Sequence, residues 1–336
     1  MKRREFITLL GGTAAAWPLS ARAQQPAKTK RIAMVHPADP VANLVASYHP
    51  VYQAFFDELG RAGFVEGKSL IVERYSAEGN PDRYAQVARD VVDTRPDAIF
   101  PISTFLGVAF KGATTSIPIV VPALDPIAVG LVSNIARPGG NITGTALSAG
   151  LEIWGKRIGF LKETVPKLSN LSVLMIARKE WEGPYGGAIR QAAKAANADL
   201  KAVWFDGKID AAAYQRVFAA FEQDRPDGLL VSDHGAHTNS YGTILGLTAK
   251  HRIPAMYAYR DLVVQLGGLM SYGIDTEELG RFAGYQIGQV LKGTNPGDIP
   301  FNQVTRYELA LNLKTAKSLD IEFPATLLGS ADFVVE

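Results

Sequence analysis

The chain reads as an α/β protein of two Rossmann-like lobes, each built on a parallel sheet, joined by a hinge of several strands. Three observations predict this. Apolar β-type runs alternate with amphipathic helical stretches along the body. Two punctuation phrases recur in the same order about 130 residues apart. The length of 336 residues exceeds what a single core organises.

The first element is a leader. Lys2-Arg3-Arg4-Glu5-Phe6-Ile7 is cationic, Ile7 to Trp17 is apolar and small, and Ala21-Arg22-Ala23 is a cleavage pattern. An export signal over 1–23 is expected, too short for a membrane anchor, with the mature chain starting near Gln24. The arginine pair with Phe6-Ile7 resembles a twin-arginine signal, although Lys2 stands where Ser or Thr is usual. An ordinary secretory signal is the alternative. No Cys stands at the cleavage site to carry a lipid.

The strands of the first half are expected at Ile32 to His36, Leu70 to Tyr75, Ala98 to Ser103 and Ile119 to Leu124. Their near-continuous apolar character predicts burial on both faces, as in a parallel sheet. Helical periodicity between them covers Val51 to Ala62, Tyr84 to Val92 and Phe105 to Thr114. Arg137-Pro138-Gly139-Gly140-Asn141 is a turn, and Ile142 to Ser148 should carry the chain into the second lobe. There, strands are expected at Ser172 to Ile176, Lys201 to Phe205, Gly228 to Ser232 and Ala255 to Tyr259.

The repeated phrases support a duplication. Arg95-Pro96-Asp97 returns as Arg225-Pro226-Asp227 at an offset of 130, and Ile117-Pro118 returns as Ile253-Pro254 at an offset of 136. Each ends a helix and opens a strand. Leu269 to Ile274 is read as a second crossing, Glu277 to Leu291 as a helix returning to the first lobe, and Tyr307 to Asn312 as a third crossing. The expected lobes are 30–145 plus 275–303, and 146–274 plus 304–336. Ligands of open α/β sheets bind beyond the carboxyl ends of the strands, so two facing lobes imply a cleft that closes on a hinge.

Composition excludes much else. The formal charge of +2 includes +3 from the leader, leaving the mature chain near −1. Sequence-independent nucleic-acid binding has no electrostatic basis at that charge. The absence of cysteine removes disulfides, thiol nucleophiles, thiolate metal sites and iron–sulfur clusters. No later run of eighteen apolar residues is present, so no membrane insertion is expected after cleavage. The motifs of nucleophile elbows, dinucleotide and phosphate loops and zinc proteases are missing. No enzyme, cofactor or metal is expected, and a monomer is.

Arg137-Pro138-Gly139-Gly140-Asn141-Ile142-Thr143-Gly144 resembles a signature of the extracytoplasmic substrate-binding proteins of one ABC-transporter family, which includes tryptophan and other aromatic-ligand binders. Asp125-Pro126, Gly267 to Gly273 and Asn312 to Lys317 match as well. The resemblance spans Tyr52 to the C-terminus. It implies a type I periplasmic-binding-protein fold, a periplasmic location and ligand delivery to an ABC permease in the inner membrane. Two departures stand near the expected ligand: Tyr272-Gly273-Ile274-Asp275, where the family has Pro in place of Ile274, and Ala177 to Trp181, where an Asn-Pro pair is usual.

Candidate ligand residues follow from strand ends. Ser103, Thr104 and the N-terminus of the helix carrying Phe105 can hold a carboxylate, or simply cap that helix. Asp125 can accept an ammonium, or cap a helix starting at Pro126. Trp181 and Tyr185 can cover a ring and Arg178 can pair with a carboxylate, or all three belong to a solvated loop. Tyr257, Tyr259 and Arg260 end a strand, with the two tyrosines on one face, or in the core. His234 and His36 are read as lining the cleft. Asp233-His234-x-x-His237 lacks a third strong metal ligand.

The resulting expectation is a periplasmic solute-binding protein for an aromatic carboxylate or aromatic amino acid. A branched aliphatic amino acid is the nearest rival. A ligand sensor for a membrane receptor is a second class. An exported hydrolase using Ser232 with His234 or His237 is a third.

Overall fold

The computed structural model describes residues 29–147, 152–175, 178–205 and 209–336. The expected export signal lies outside the described residues. So do the ends of two expected strands, Ser148 and Ile176.

Two separate sheets form. The first joins β1 (Lys30–His36), β2 (Leu70–Ser76), β3 (Ala98–Pro101), β4 (Ile119–Ala123), β5 (Ile142–Ala146) and β11 (Asn302–Gln303) in the order β11-β5-β4-β3-β1-β2, all parallel. The second joins β6 (Asn170–Leu174), β7 (Asp199–Val203), β8 (Gly228–Val231), β9 (Ala255–Tyr257), β10 (Met270–Ile274), β12 (Tyr307–Asn312) and β13 (Phe333–Val335) in the order β13-β12-β10-β9-β8-β6-β7. Only the β10–β12 pair is antiparallel.

Alternation along each strand explains the layers. Ile32 and Met34 of β1 pack under α1 (Pro50–Arg61) and α10 (Thr276–Leu291), whereas Ala33 and Val35 pack under α2 (Tyr84–Asp93) and α3 (Thr104–Ala113). In the second sheet, α4 (Ile153–Thr164) and α6 (Pro184–Ala195) cover one face. Helices α7 (Ala211–Ala220) and α8 (Tyr241–Lys250) cover the other. The short α5 (Arg178–Glu182) precedes α6, α9 (Asp261–Val264) follows β9, and α11 (Leu313–Ser318) and α12 (Ala325–Ser330) close the chain. Fully buried Phe55 alone contributes about 2–3 kcal/mol of apolar burial.

Burial corrects one expectation. β2 is not covered on both faces: Ile71 is 47% exposed. β7 is likewise half open. Both are edge strands, so half of their surface has no neighbour to cover it. The expected strand Lys201 to Phe205 also begins two residues earlier, at Asp199.

The repeated phrases do the same work in both sheets. Asp97 accepts from the Arg31 amide at 2.8 Å and returns its own amide to the Arg31 carbonyl at 2.8 Å. Asp227 accepts from the Asn170 amide at 2.9 Å and returns its amide to the Asn170 carbonyl at 2.8 Å. Pro118 and Pro254 carbonyls accept from Ile99 and Leu229. Each Asp therefore ties the start of the third strand to the start of the first.

The chain passes between the sheets three times: after β5, after β10 and between β11 and β12. All three passages lie at one side of the molecule, and edge strands β2 and β7 lie at the other. Helix α10 is bound to α1 by small residues. A Cβ on Gly284 would stand 2.5 Å from the Phe55 carbonyl oxygen, and one on Gly280 would stand 2.2 Å from that of Val51. In the turn signature, a Cβ on Gly144 would overlap the Val121 carbonyl at 1.9 Å, so only glycine lets β5 approach β4 there.

Candidate functional site

The carboxyl ends of the two sheets face each other across a cleft, as parallel strands feeding helices require. The loops after β1, β2 and β3 meet those after β7 and β8. The Ile209 amide donates to the Gly79 carbonyl at 3.2 Å, and the Asn239 side chain donates to the Ala38 carbonyl. A cavity of about 510 Å3 opens beside these contacts, lined by Ala38, Ser76 and Glu78 on one side and Ile209, Asp210 and Asn239 on the other. None of the candidate ligand residues is among its lining. Segments 148–151, 176–177 and 206–208, which follow β5, β6 and β7, lie outside the described residues.

On the first lobe, Ser103 is the N-cap of α3, its Oγ accepting from the Leu106 amide at 3.2 Å. Thr104 is buried and its Oγ1 accepts from the Leu124 amide at 3.1 Å, tying the end of β4 to that of β3. Both hydroxyls keep a hydrogen to donate. Asp125 Oδ1 accepts from the amides of Ile127 and Ala128 at 3.0 and 2.9 Å. The segment after it forms turns rather than the helix expected from Pro126. His36 is buried, and its Nδ1 accepts from the amides of Ala38 and Asp39 at 3.1 and 2.6 Å. Burial lowers its pKa to about 3 and raises that of Asp39 to about 6, the latter partly offset by the Tyr52 hydroxyl at 3.0 Å.

Phe105 and His234 come together across the cleft. Their rings stack at 5.3 Å with 22° between planes. His234 is held by its Nδ1 accepting from the Ala236 amide at 3.0 Å.

The second lobe contributes a buried polar cluster whose arginine, Arg157, sequence reading missed. Arg157, on α4 and only 2% exposed, donates from Nε to the Tyr272 carbonyl at 2.9 Å and from a terminal nitrogen to Asp233 Oδ2 at 3.2 Å. Tyr185 donates to Asp233 Oδ1, and Tyr259 donates to the Asp233 carbonyl at 3.2 Å. The Tyr185 ring meets Trp154 edge-on at 5.1 Å. An arginine at a helix position that should be apolar was the available signal: Trp154, Arg157, Ile158 and Leu161 share one inward face.

Trp181 on α5 is half-buried, tilted against Trp204 at 6.0 Å and covered by the Arg190 guanidinium at 4.6 Å. Arg178 stacks on Trp204 at 4.6 Å. Tyr257 lies in the second lobe's core, 1% exposed, its hydroxyl 2.8 Å from Thr248 Oγ1. β9 ends at Tyr257, so the alternation that would pair it with Tyr259 does not continue. Arg260 is held by Glu308 at 3.0 Å and lies over Phe333 at 4.8 Å.

His237 is fully buried and completes a core network. Its Nε2 lies 2.9 Å from Ser232 Oγ, and its Nδ1 lies 2.5 Å from the Tyr214 hydroxyl. Burial lowers its pKa to about 3. Ser232 is 1% exposed, so the serine–histidine pair considered for a hydrolase is closed to substrate. Among the described residues, no cluster of three or more His, Asp or Glu stands ready for a metal, and no helix is long and apolar enough to cross a membrane.

Comparison with known proteins bears on this arrangement. A family model described as ABC transporter substrate binding protein matches residues 45–335. A tyrosine-binding protein of Clostridioides difficile (strain R20291) is 26% identical over 273 residues, covering 80% of this chain and 76% of the relative. A conserved domain protein from Vibrio cholerae shares the fold at a TM-score of 0.77 and 22% identity, covering 91% of this chain and all of that one. An ABC domain in complex with L-Trp from Streptococcus pneumonia does so at 0.75 and 21%, covering 92% of this chain and all of that one.

Proposed function

This chain belongs to the family of ABC transporter substrate-binding proteins, and from that premise we propose that it captures an aromatic carboxylate or aromatic amino acid between its lobes and delivers it to an ABC permease of the inner membrane. The observation that carries this reading is the meeting of the two strand-end rims, with Phe105 of one lobe stacked on His234 of the other. Ligand touching both rims stabilises the closed form by population shift. The tyrosine-binding relative and the L-Trp complex support an aromatic ligand over an aliphatic one.

In this reading Ser103, Thr104 and the free amides of α3 hold a carboxylate, and Asp125 takes an ammonium or hydroxyl through its second oxygen. Trp181, Tyr185 and Phe105 supply ring contacts. His36, Tyr257 and Arg260 support the loops from behind, each having its own protein partner. The moving bodies are 30–145 plus 275–303 and 146–274 plus 304–336. Residues 1–23 direct export, and the mature chain works in the periplasm.

A thermal-shift screen of aromatic acids and aromatic amino acids tests the proposal. Ligand at one hundred times its Kd adds about 2.7 kcal/mol of stability. Responses confined to aliphatic amino acids would defeat the aromatic reading.

A further inference from the structure

Polar groups are unevenly satisfied where the chain leaves the first sheet. β5 reads Ile142-Thr143-Gly144-Thr145-Ala146. Ile142 packs in the cluster under α2 and α3, so alternation turns both threonines to the opposite face, toward α10. Thr143 finds a partner there: its Oγ1 donates to the Ile299 carbonyl at 2.7 Å. Gln286 lies on the buried face of α10 with Ala283, Ile287 and Val290. Its Nε2 donates to the Gly144 carbonyl at 2.8 Å and to the Pro300 carbonyl at 3.2 Å. Three buried groups beside these bonds have no partner among the described residues: Gln286 Oε1, Thr145 Oγ1 and Asn302 Nδ2. Gln286 is 1% exposed and Thr145 2%.

The three groups are neighbours. The parallel register sets Asn302 directly opposite Thr145, so their side chains stand on one face, about 4.8 Å apart across the strands. Gln286 Oε1 lies about 2.2 Å from its own Nε2, and that nitrogen is bonded to the carbonyl just before Thr145. A buried polar group is costly to leave unpaired, and ordered water is the usual remedy where protein partners are missing. The chemistry of the three selects water. An amide N–H repels a metal cation, a carbonyl oxygen repels an anion, and a hydroxyl suits either role. One molecule that accepts from Asn302 and Thr145 and donates to Gln286 satisfies all three, and about three bonds is the usual number for a buried water.

We propose that Gln286, Thr145 and Asn302 hold one ordered water molecule, which ties β5 and β11 to α10 where both strands leave the first lobe. β11 has two residues and one neighbour in its sheet, so backbone pairing alone anchors it weakly. The site belongs to the first lobe alone and is independent of ligand and of lobe closure.

A high-resolution crystal structure should show one water peak within about 3.2 Å of all three atoms. A direct bond from Asn302 to Gln286, or no peak, overturns the proposal. Oxygen-17 relaxation dispersion counts long-lived internal waters in solution. Thr145→Val and Gln286→Leu should each lower the dispersion by the equivalent of one water, with circular dichroism unchanged. Thr145→Ser keeps the hydroxyl and should keep the parent dispersion. Should Gln286→Leu impair folding, Thr145→Val decides, because valine has the shape of threonine. A dispersion unchanged in Thr145→Val, or lowered equally in Thr145→Ser, overturns the proposal.

Discussion

Acid should weaken this fold well above the pH at which ordinary carboxylates titrate. His36 and His237 are each buried neutral, one in each lobe, with pKa values lowered from 6.5 to about 3. The unfolded chain takes up a proton at each below pH 6.5 and the folded chain does not, so stability falls as pH falls through that value. At about 1.36 kcal/mol per pH unit, each histidine costs about 2 kcal/mol at pH 5. Asp39 works the other way: its pKa is raised from 3.8 to about 6, the folded chain binds the extra proton, and about 1.4 kcal/mol is regained by pH 5. The net loss from these three groups between pH 7.5 and pH 5 is therefore about 2.5 kcal/mol. Urea unfolding followed by tryptophan fluorescence at the two pH values measures it. His36→Asn and His237→Asn should each flatten the profile by about 2 kcal/mol, whatever they do to stability at neutral pH. A parent profile flat to within about 0.5 kcal/mol, or variants as steep as the parent, would refute the assignment of buried neutral rings.

Arg157→Met should destabilise by about 3–5 kcal/mol, because Asp233 is left charged and buried. Adding Asp233→Asn should recover part of that loss in the same urea titration. Gly284→Leu should cost about 1–3 kcal/mol by pushing α10 off α1, read as a lower denaturation midpoint. Trp181→Ala should weaken a true aromatic ligand several-fold by calorimetry, worth about 0.5–1.5 kcal/mol. Unchanged affinity would remove Trp181 from the site.

The phrases that made the chain legible turn out to be structural. Gly144 lets two strands approach, Asp97 and Asp227 tie strand starts together, and Asn312 caps α11 with its side chain on the Thr315 amide at 3.0 Å. Backbone demands of this kind leave marks at fixed spacing, which explains why family and fold could be read early. Ligand contacts leave weaker marks. Ser103 looks like a cap in sequence and is one in the structure, whereas Asp125 closes a turn where a helix was expected, with any ligand role added on top.

Local chemistry in the chain therefore determined the two sheets, their helices, the duplicated punctuation and the seam where the chain changes lobe, because each depends on neighbours in sequence or on strand burial. Tertiary structure alone decided which edge strands stay open, that Arg157 and Tyr185 converge on Asp233, that Tyr257 turns into the core, and that Phe105 meets His234. Those outcomes join residues far apart in sequence through packing inside each lobe and, for the contact between lobes, across the cleft, and no local pattern encodes that distance.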